Sequence, residues 1–93
     1  MLPPLDIEHP GLAERVDVLQ KRVGNRLKKW RKLRRLTVEQ VAARSAVRVN
    51  LIKQIEGHGR PRISLTDVLR ICFAIGIDPS HLFVEAHRLD LEE

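Results

Sequence analysis

The sequence predicts an all-α domain of five helices with an extended first helix, and three observations carry that expectation. Leu12, Val16, Leu19, Val23, Leu27, Trp30 and Leu33 recur at steps of three and four, which lays one apolar stripe along a helix of about 22 residues. Side chains that cap helix starts stand at Thr37, Ser64 and Asp78, each ahead of a further apolar pattern. The chain carries no strand signal of appreciable length. Ninety-three residues are enough for one core and leave no room for a separate sensor or catalytic domain.

Taken in order, residues 1–10 hold three of the five prolines and read as a flexible arm, because each proline removes a donor and biases its predecessor away from helix. The first helix then starts near Gly11 or Leu12. Gly24 within it either permits a bend or lets a neighbour approach closely. The heptad-like spacing of Leu12, Val16, Leu19 and Val23 needs a cover, which is either a second subunit or the chain's own terminal helix. Two glycines and a proline in EGHGRPRIS make a loop. Ser64, with Asp67 three positions on, opens a helix whose core side chains are expected to be Leu65, Val68, Leu69, Cys72, Phe73 and Ile75, with Gly76 ending it. Asp78 and Pro79 start a last helix, with Leu82 and Phe83 expected to close the core. The domain proper is then 11–83, and 84–93 is an acidic tail that either prolongs the last helix or frays.

Between these parts lies LTVEQVAARSAVRVNLIKQIE, residues 36–56, which reads as two short helices and a tight turn. Thr37 with Gln40 three positions later has the form of a capping box. Val38, Val41 and Ala42 would face inward on the first helix. Arg44 and Ser45 break the pattern, and Val47, Ile52 and Ile55 restart it. Arg48, Val49, Asn50, Lys53 and Gln54 are left for the outer side of the second helix, and Leu51 is expected to be exposed beside them.

Leu36, Thr37, Val41, Ala42, Val47, Ile52, Ile55 and Glu56 resemble, in register, the phage-repressor (XRE-type) helix-turn-helix family. The resemblance covers Val23 to about Phe83 and implies a phage-repressor-like fold; against it, Leu12 to Arg22 is an extra length of first helix. It also implies an ion pair between Arg31 and Glu56, the bland reading of Arg31 being one more phosphate-facing cation. The family usually has Gly at the place of Ala46, where alanine in a left-handed turn costs about 1 kcal/mol, so a somewhat different turn is one expectation here. It often has Gln at the place of Val38, a phosphate contact that valine cannot make. In some relatives a basic loop like Arg60-Pro61-Arg62 follows the DNA backbone, which implies a phosphate contact for Arg60 and a minor-groove role for Arg62; a solvated loop is the plainer reading.

Charge favours the same partner. Lys and Arg outnumber Asp and Glu by 17 to 12, and nine of the fifteen residues from Lys21 to Arg35 are basic with no acid among them. Such a balance suits a polyanion, most simply double-stranded DNA, although a run of like charge can also be only a solvated face. In a major groove Arg48 reaches a guanine edge or a phosphate, Asn50 and Gln54 offer amides to adenine, Lys53 suits guanine or phosphate, and Val49 suits a thymine methyl. Lys28, in the basic end of the first helix, and Thr37 complete the expected DNA-binding set. A module of this size buries too little surface to be selective alone, so a homodimer on a palindromic operator, acting as a repressor, is the expectation. The alternative is a helix-turn-helix protein-interaction module, or an antitoxin-like protein, gripping a partner through Val49 and Leu51.

Catalysis is not expected. His9, His58, His81 and His87 are scattered and form no ligand pair, so no metal, cofactor or small-molecule ligand is implied. Ser45 and Cys72 lack a base at useful spacing. The single cysteine excludes an internal disulfide and fits a reducing compartment. Without a signal-like start or a run of ~20 apolar residues, the expected place is the cytoplasm of a bacterium, encoded there or on a phage or plasmid.

Overall fold

In the computed structural model, residues 11–57 and 63–92 are described, with side chains as far as Arg88. They form five helices: α1 (Leu12–Leu33), α2 (Val38–Ser45), α3 (Val49–Gly57), α4 (Leu65–Ile75) and α5 (Pro79–Glu92). The described residues contain no strand, so the domain is all-α. The arm at 1–10, the loop at 58–62, and with them Arg60 and Arg62, lie outside the described residues.

Local chemistry sets most helix ends. Gly11, with φ 88°, precedes α1. Its C-terminus is closed by Arg35 N–H donating to Lys32 O at 3.0 Å and Leu36 N–H donating to Arg31 O at 3.1 Å, with Arg35 at φ 57° in the left-handed conformation between them. That is the double bond of a Schellman motif, made without the usual glycine. Thr37 and Gln40 form the full capping box: Gln40 N–H donates to Thr37 Oγ1 at 3.1 Å and Thr37 N–H donates to Gln40 Oε1 at 2.8 Å. Ser64 Oγ accepts from Asp67 N–H at 3.4 Å, Gly76 at φ 86° ends α4, and Asp78 Oδ1 accepts from both Ser80 N–H and Ser80 Oγ–H. These hydrogen bonds to the ionised form, the hydroxyl's first, hold the Asp78 carboxyl below its ordinary value.

The core gathers Val23, Leu27, Val41, Val47, Ile52, Ile55, Val68, Ile71, Cys72, Ile75, Ile77, Leu82 and Ala86. α1 packs on α5 and α3, while α2 packs on α3 and α4. α1 stays helical through Gly24, so this glycine serves close approach, not a bend: a Cβ there would run into the Ile55 carbonyl. Burial also pushes the Cys72 thiol up to about 11, with the Asp78 charge adding to it.

Three expected core side chains are corrected. Phe73 is 71% exposed, Leu65 62% and Phe83 39%. The buried stripe of α4 runs instead through Val68, Ile71, Cys72 and Ile75, the i, i+3, i+4, i+7 spacing of one helix face. Phe73 lies off that face, Leu65 precedes its first full turn, and Ile71 had been passed over. On α5, Leu82 is fully buried and Ala86 takes the next inward place four residues on. Helix α5 runs on to Glu92, so the stretch beginning at Val84 is a continuation of α5 as far as that residue. It lies along α1, where Arg26 meets Glu85 at 3.5 Å and the rings of Trp30 and His81 meet edge to face at 6.0 Å. The chain's own terminal helix therefore covers part of the α1 stripe, while Val16 and Leu33 of that stripe stay exposed.

Candidate nucleic-acid interface

The turn between α2 and α3 decides which side of α3 faces outward. Ala46 takes φ 60°, ψ 23° there and donates its N–H to Ala42 O at 3.0 Å, so alanine adopts the left-handed conformation and no alternative turn replaces it. Buried Ser45 accepts the Val47 N–H on its Oγ at 3.1 Å, which satisfies the donor at the reversal. Ile52 N–H donates to Arg48 O at 3.1 Å, so Arg48 stands just ahead of the first helical turn.

On α3, Ile52, Ile55 and Glu56 are buried, whereas Asn50, Lys53, Gln54 and Gly57 are exposed. The two sets sit on opposite faces of a 3.6-residue period. Arg48 is exposed and Val49 half-buried; these two, Asn50, Leu51 and Gln54 border one shallow depression. Lys53 projects from the same face but does not border it. Leu51 is corrected: it is half-buried and packs against the core. Like Val49, it is half-buried and still borders the depression on the outer side of the helix.

Behind α3, Arg31 Nε donates to Glu56 Oε2 at 2.7 Å and Nη2 donates to Oε1 at 2.8 Å, a two-pronged pair with 11% and 8% of the side chains exposed. Its remaining nitrogen, Nη1, donates to Leu36 O at 2.8 Å. One guanidinium thus joins α1, α3 and the α1–α2 connection. The hydrogen bond to Glu56 raises the Arg31 pKa against the desolvation that would lower it. Arg31 is accordingly a scaffold residue, whose geometry fixes how α1 crosses α3 more than it adds stability.

The basic run of α1 divides by role. Lys21 pairs with Asp17 at 3.3 Å, Arg26 with Glu85, and Arg34 donates to Gly76 O at 3.3 Å while lying 5.9 Å from the Trp30 ring centroid. Lys28 sits on the α1 strip between Gly24 and Arg31, about one turn from each, and those two residues meet Ile55 and Glu56. It is therefore beside the last turn of α3. With Lys29 and Lys32 it borders a second depression, so the site holds a three-lysine cluster of which sequence reasoning named only Lys28. The signal was present in the spacing 28, 29, 32, but the density of the basic run hid it. Thr37 is exposed with its hydroxyl oxygen engaged in the capping box, and Glu39 lies in the same first turn. Negative charge there disfavours a phosphate, so the capping role of Thr37 is its clearest one.

Among the described residues no group of three or more His, Cys, Asp or Glu could hold a metal ion, and no helix is long and apolar enough to cross a membrane. Comparison with curated proteins and with solved structures found no match. The sequence profile described as "Helix-turn-helix domain" matches residues 22–82, which takes in α1 from its first buried turn through α4 and the start of α5. With that span and the geometry of α2, the turn and α3, the chain belongs to the helix-turn-helix domain family.

Proposed function

We infer that the protein is a sequence-specific regulator that binds double-stranded DNA through the outer face of α3. The observation that carries this reading is the division of α3: Ile52, Ile55 and Glu56 are anchored to the domain while Arg48, Asn50, Lys53 and Gln54 stand exposed together. A rigid helix presenting amides and cations is what reading base edges in a major groove requires. Asn50 and Gln54 pair with adenine edges, Arg48 with a guanine edge or a phosphate, and Val49 with a thymine methyl, each good bidentate pair discriminating by about 1–3 kcal/mol. Lys53, Lys28 and its neighbours Lys29 and Lys32 supply phosphate contacts, which position the domain without reading sequence.

The regulator acts by binding and not by catalysis. It works as a homodimer on a palindromic operator, because two half-sites about one helical turn apart multiply the modest selectivity of one small module. Repression by occupying a promoter is the simplest outcome for a protein built this way. Fluorescence anisotropy on a labelled duplex at two salt concentrations tests the reading. With ~5 phosphate contacts per subunit, affinity falls at least several hundred-fold between about 50 and 200 mM salt. An affinity indifferent to salt, or no duplex binding at the lower concentration, would overturn the DNA reading in favour of apolar contact with another protein.

A further inference from the structure

Helices α2 and α4 meet at an outer corner where Arg44, Ser45, Arg70, Phe73 and Ala74 border one open depression. Phe73 is 71% exposed, more than any other large hydrophobic side chain among the described residues. The core gains nothing from it, because α4 buries Val68, Ile71, Cys72 and Ile75 instead. Arg70, one turn before Phe73 on α4, and Arg44, in the last turn of α2, are both exposed. Among the described residues neither has an ion-pair or hydrogen-bond partner, whereas Lys21, Arg26, Arg31 and Arg34 each have one. The rest of the rim is small: Ala74 is half-buried, and Ser45 is buried with its hydroxyl oxygen taking the Val47 N–H.

We propose that this corner is a docking surface for an acidic segment of another protein, one that sets an apolar side chain on Phe73 and carboxylates against Arg44 and Arg70. Charge selects this occupant over the others. A second copy of the chain meeting itself here across a two-fold axis would bring like-charged guanidiniums together, since no acid borders the depression to separate them. A duplex would satisfy the arginines but set the Phe73 ring against hydrated phosphates, where its apolar surface stays in water. An acidic segment bearing an apolar side chain answers both groups at once. Guanidinium forks bind carboxylates in two-pronged fashion, and aromatic and arginine side chains are the ones enriched at protein interfaces.

The corner is also clear of the reading helix. α2 packs on both α3 and α4, so an occupant on the α4 side of α2 leaves the outer face of α3 free. The surface is thus compatible with the DNA reading and does not depend on it.

The test titrates the isotope-labelled full chain with a short synthetic peptide of alternating Asp and Leu, which carries both required groups. Amide shifts are expected at Arg44, Arg70, Phe73 and Ala74. Exchanging Leu for Ser in the peptide, or Phe73→Ser in the protein, weakens binding roughly tenfold or more, as for loss of a central interface contact. The double variant Arg44→Glu/Arg70→Glu loses the Asp peptide and takes up the corresponding peptide of Lys and Leu, a gain that misfolding could not produce. Phe73→Ser leaves duplex affinity unchanged. The proposal is overturned if saturating peptide leaves these amides unmoved, if the shifts fall on α3 and Lys28 instead, if the Ser-containing peptide binds equally well, or if the charge exchange brings no gain. Duplex affinity that falls with Phe73→Ser also overturns it and assigns the corner to the DNA interface. A wild type that takes the peptide but no duplex sinks the DNA reading and leaves this one standing.

Discussion

The two halves of α1 meet the rest of the chain in opposite ways. From Val23 to Leu33 the helix is pinned: Gly24 touches the α3 backbone, Leu27 is fully buried, and Arg31 is hydrogen-bonded on all three nitrogens. From Leu12 to Arg22 it leans on α5 with Val16 and Val18 exposed, beside an unfilled groove. The pinned half holds a helix whose outer face is polar, and the open half borders an apolar groove. Rigid support with exposed hydrogen-bonding groups suits a ligand that must be read, whereas the apolar groove offers no such groups. The long helix thus serves both as the support behind α3 and as one wall of that groove.

That contrast can be broken from the pinned side first. Glu56→Ala leaves the Arg31 guanidinium among buried groups without its carboxylate and is expected to cost about 3–5 kcal/mol in urea unfolding, the largest effect of the set. Gly24→Ala drives a methyl toward the Ile55 carbonyl, which cannot rotate away as a side chain would; about 1–3 kcal/mol of destabilisation and a shifted α3 are expected, the shift visible in amide chemical shifts. Ala46→Gly acts in the other direction, relieving a left-handed alanine and raising stability by about 1 kcal/mol, against a smaller gain if the unfolded chain's extra freedom offsets part of it. In the open half, Val16→Ser is expected to change monomer stability by less than about 0.5 kcal/mol, which sharpens the contrast.

The buried thiol gives a pH test of the core. Cys72 ionises near its ordinary value of 9.0 when unfolded and at about 11 when folded, so the folded state holds its proton longer. The contribution is complete below pH 9 and is lost as pH rises toward 11. Cys72→Ala should flatten the stability profile in that window, and the native wild-type thiol should resist alkylation until the domain opens. At the acid end the sign reverses: the Asp78 carboxyl, held below its ordinary value, stabilises the start of α5 above that value and ceases to do so as pH falls through the lowered one.

How far the chain could be read in advance follows the range of the forces involved. The all-α class, the length of α1, the Thr37–Gln40 box and the stops at Gly76 and Asp78 depend on residues a few positions apart, and the sequence shows them directly. The place of Arg31 against Glu56 came only through family resemblance, since the two are 25 residues apart. Local pattern could not settle the phase of α4, because LTDVLRICFAI is apolar on more than one side and only packing on the neighbouring helices selects Ile71 over Phe73. Leu51 was misplaced for the same reason. Whether Gly24 bends or admits a neighbour depended on Ile55, 31 residues away, and a helical stripe alone says nothing of which neighbour covers it.

The central claim, that the outer face of α3 reads a duplex, is tested most directly by selecting bound duplexes from a random pool with wild type and Asn50→Ala side by side. The wild type should enrich a two-fold symmetric site, and Asn50→Ala should lose preference at one base pair per half-site, by about 1–3 kcal/mol, with non-specific affinity nearly intact. Selected sites that are identical for the two proteins, or affinity lost equally for every sequence, would contradict it.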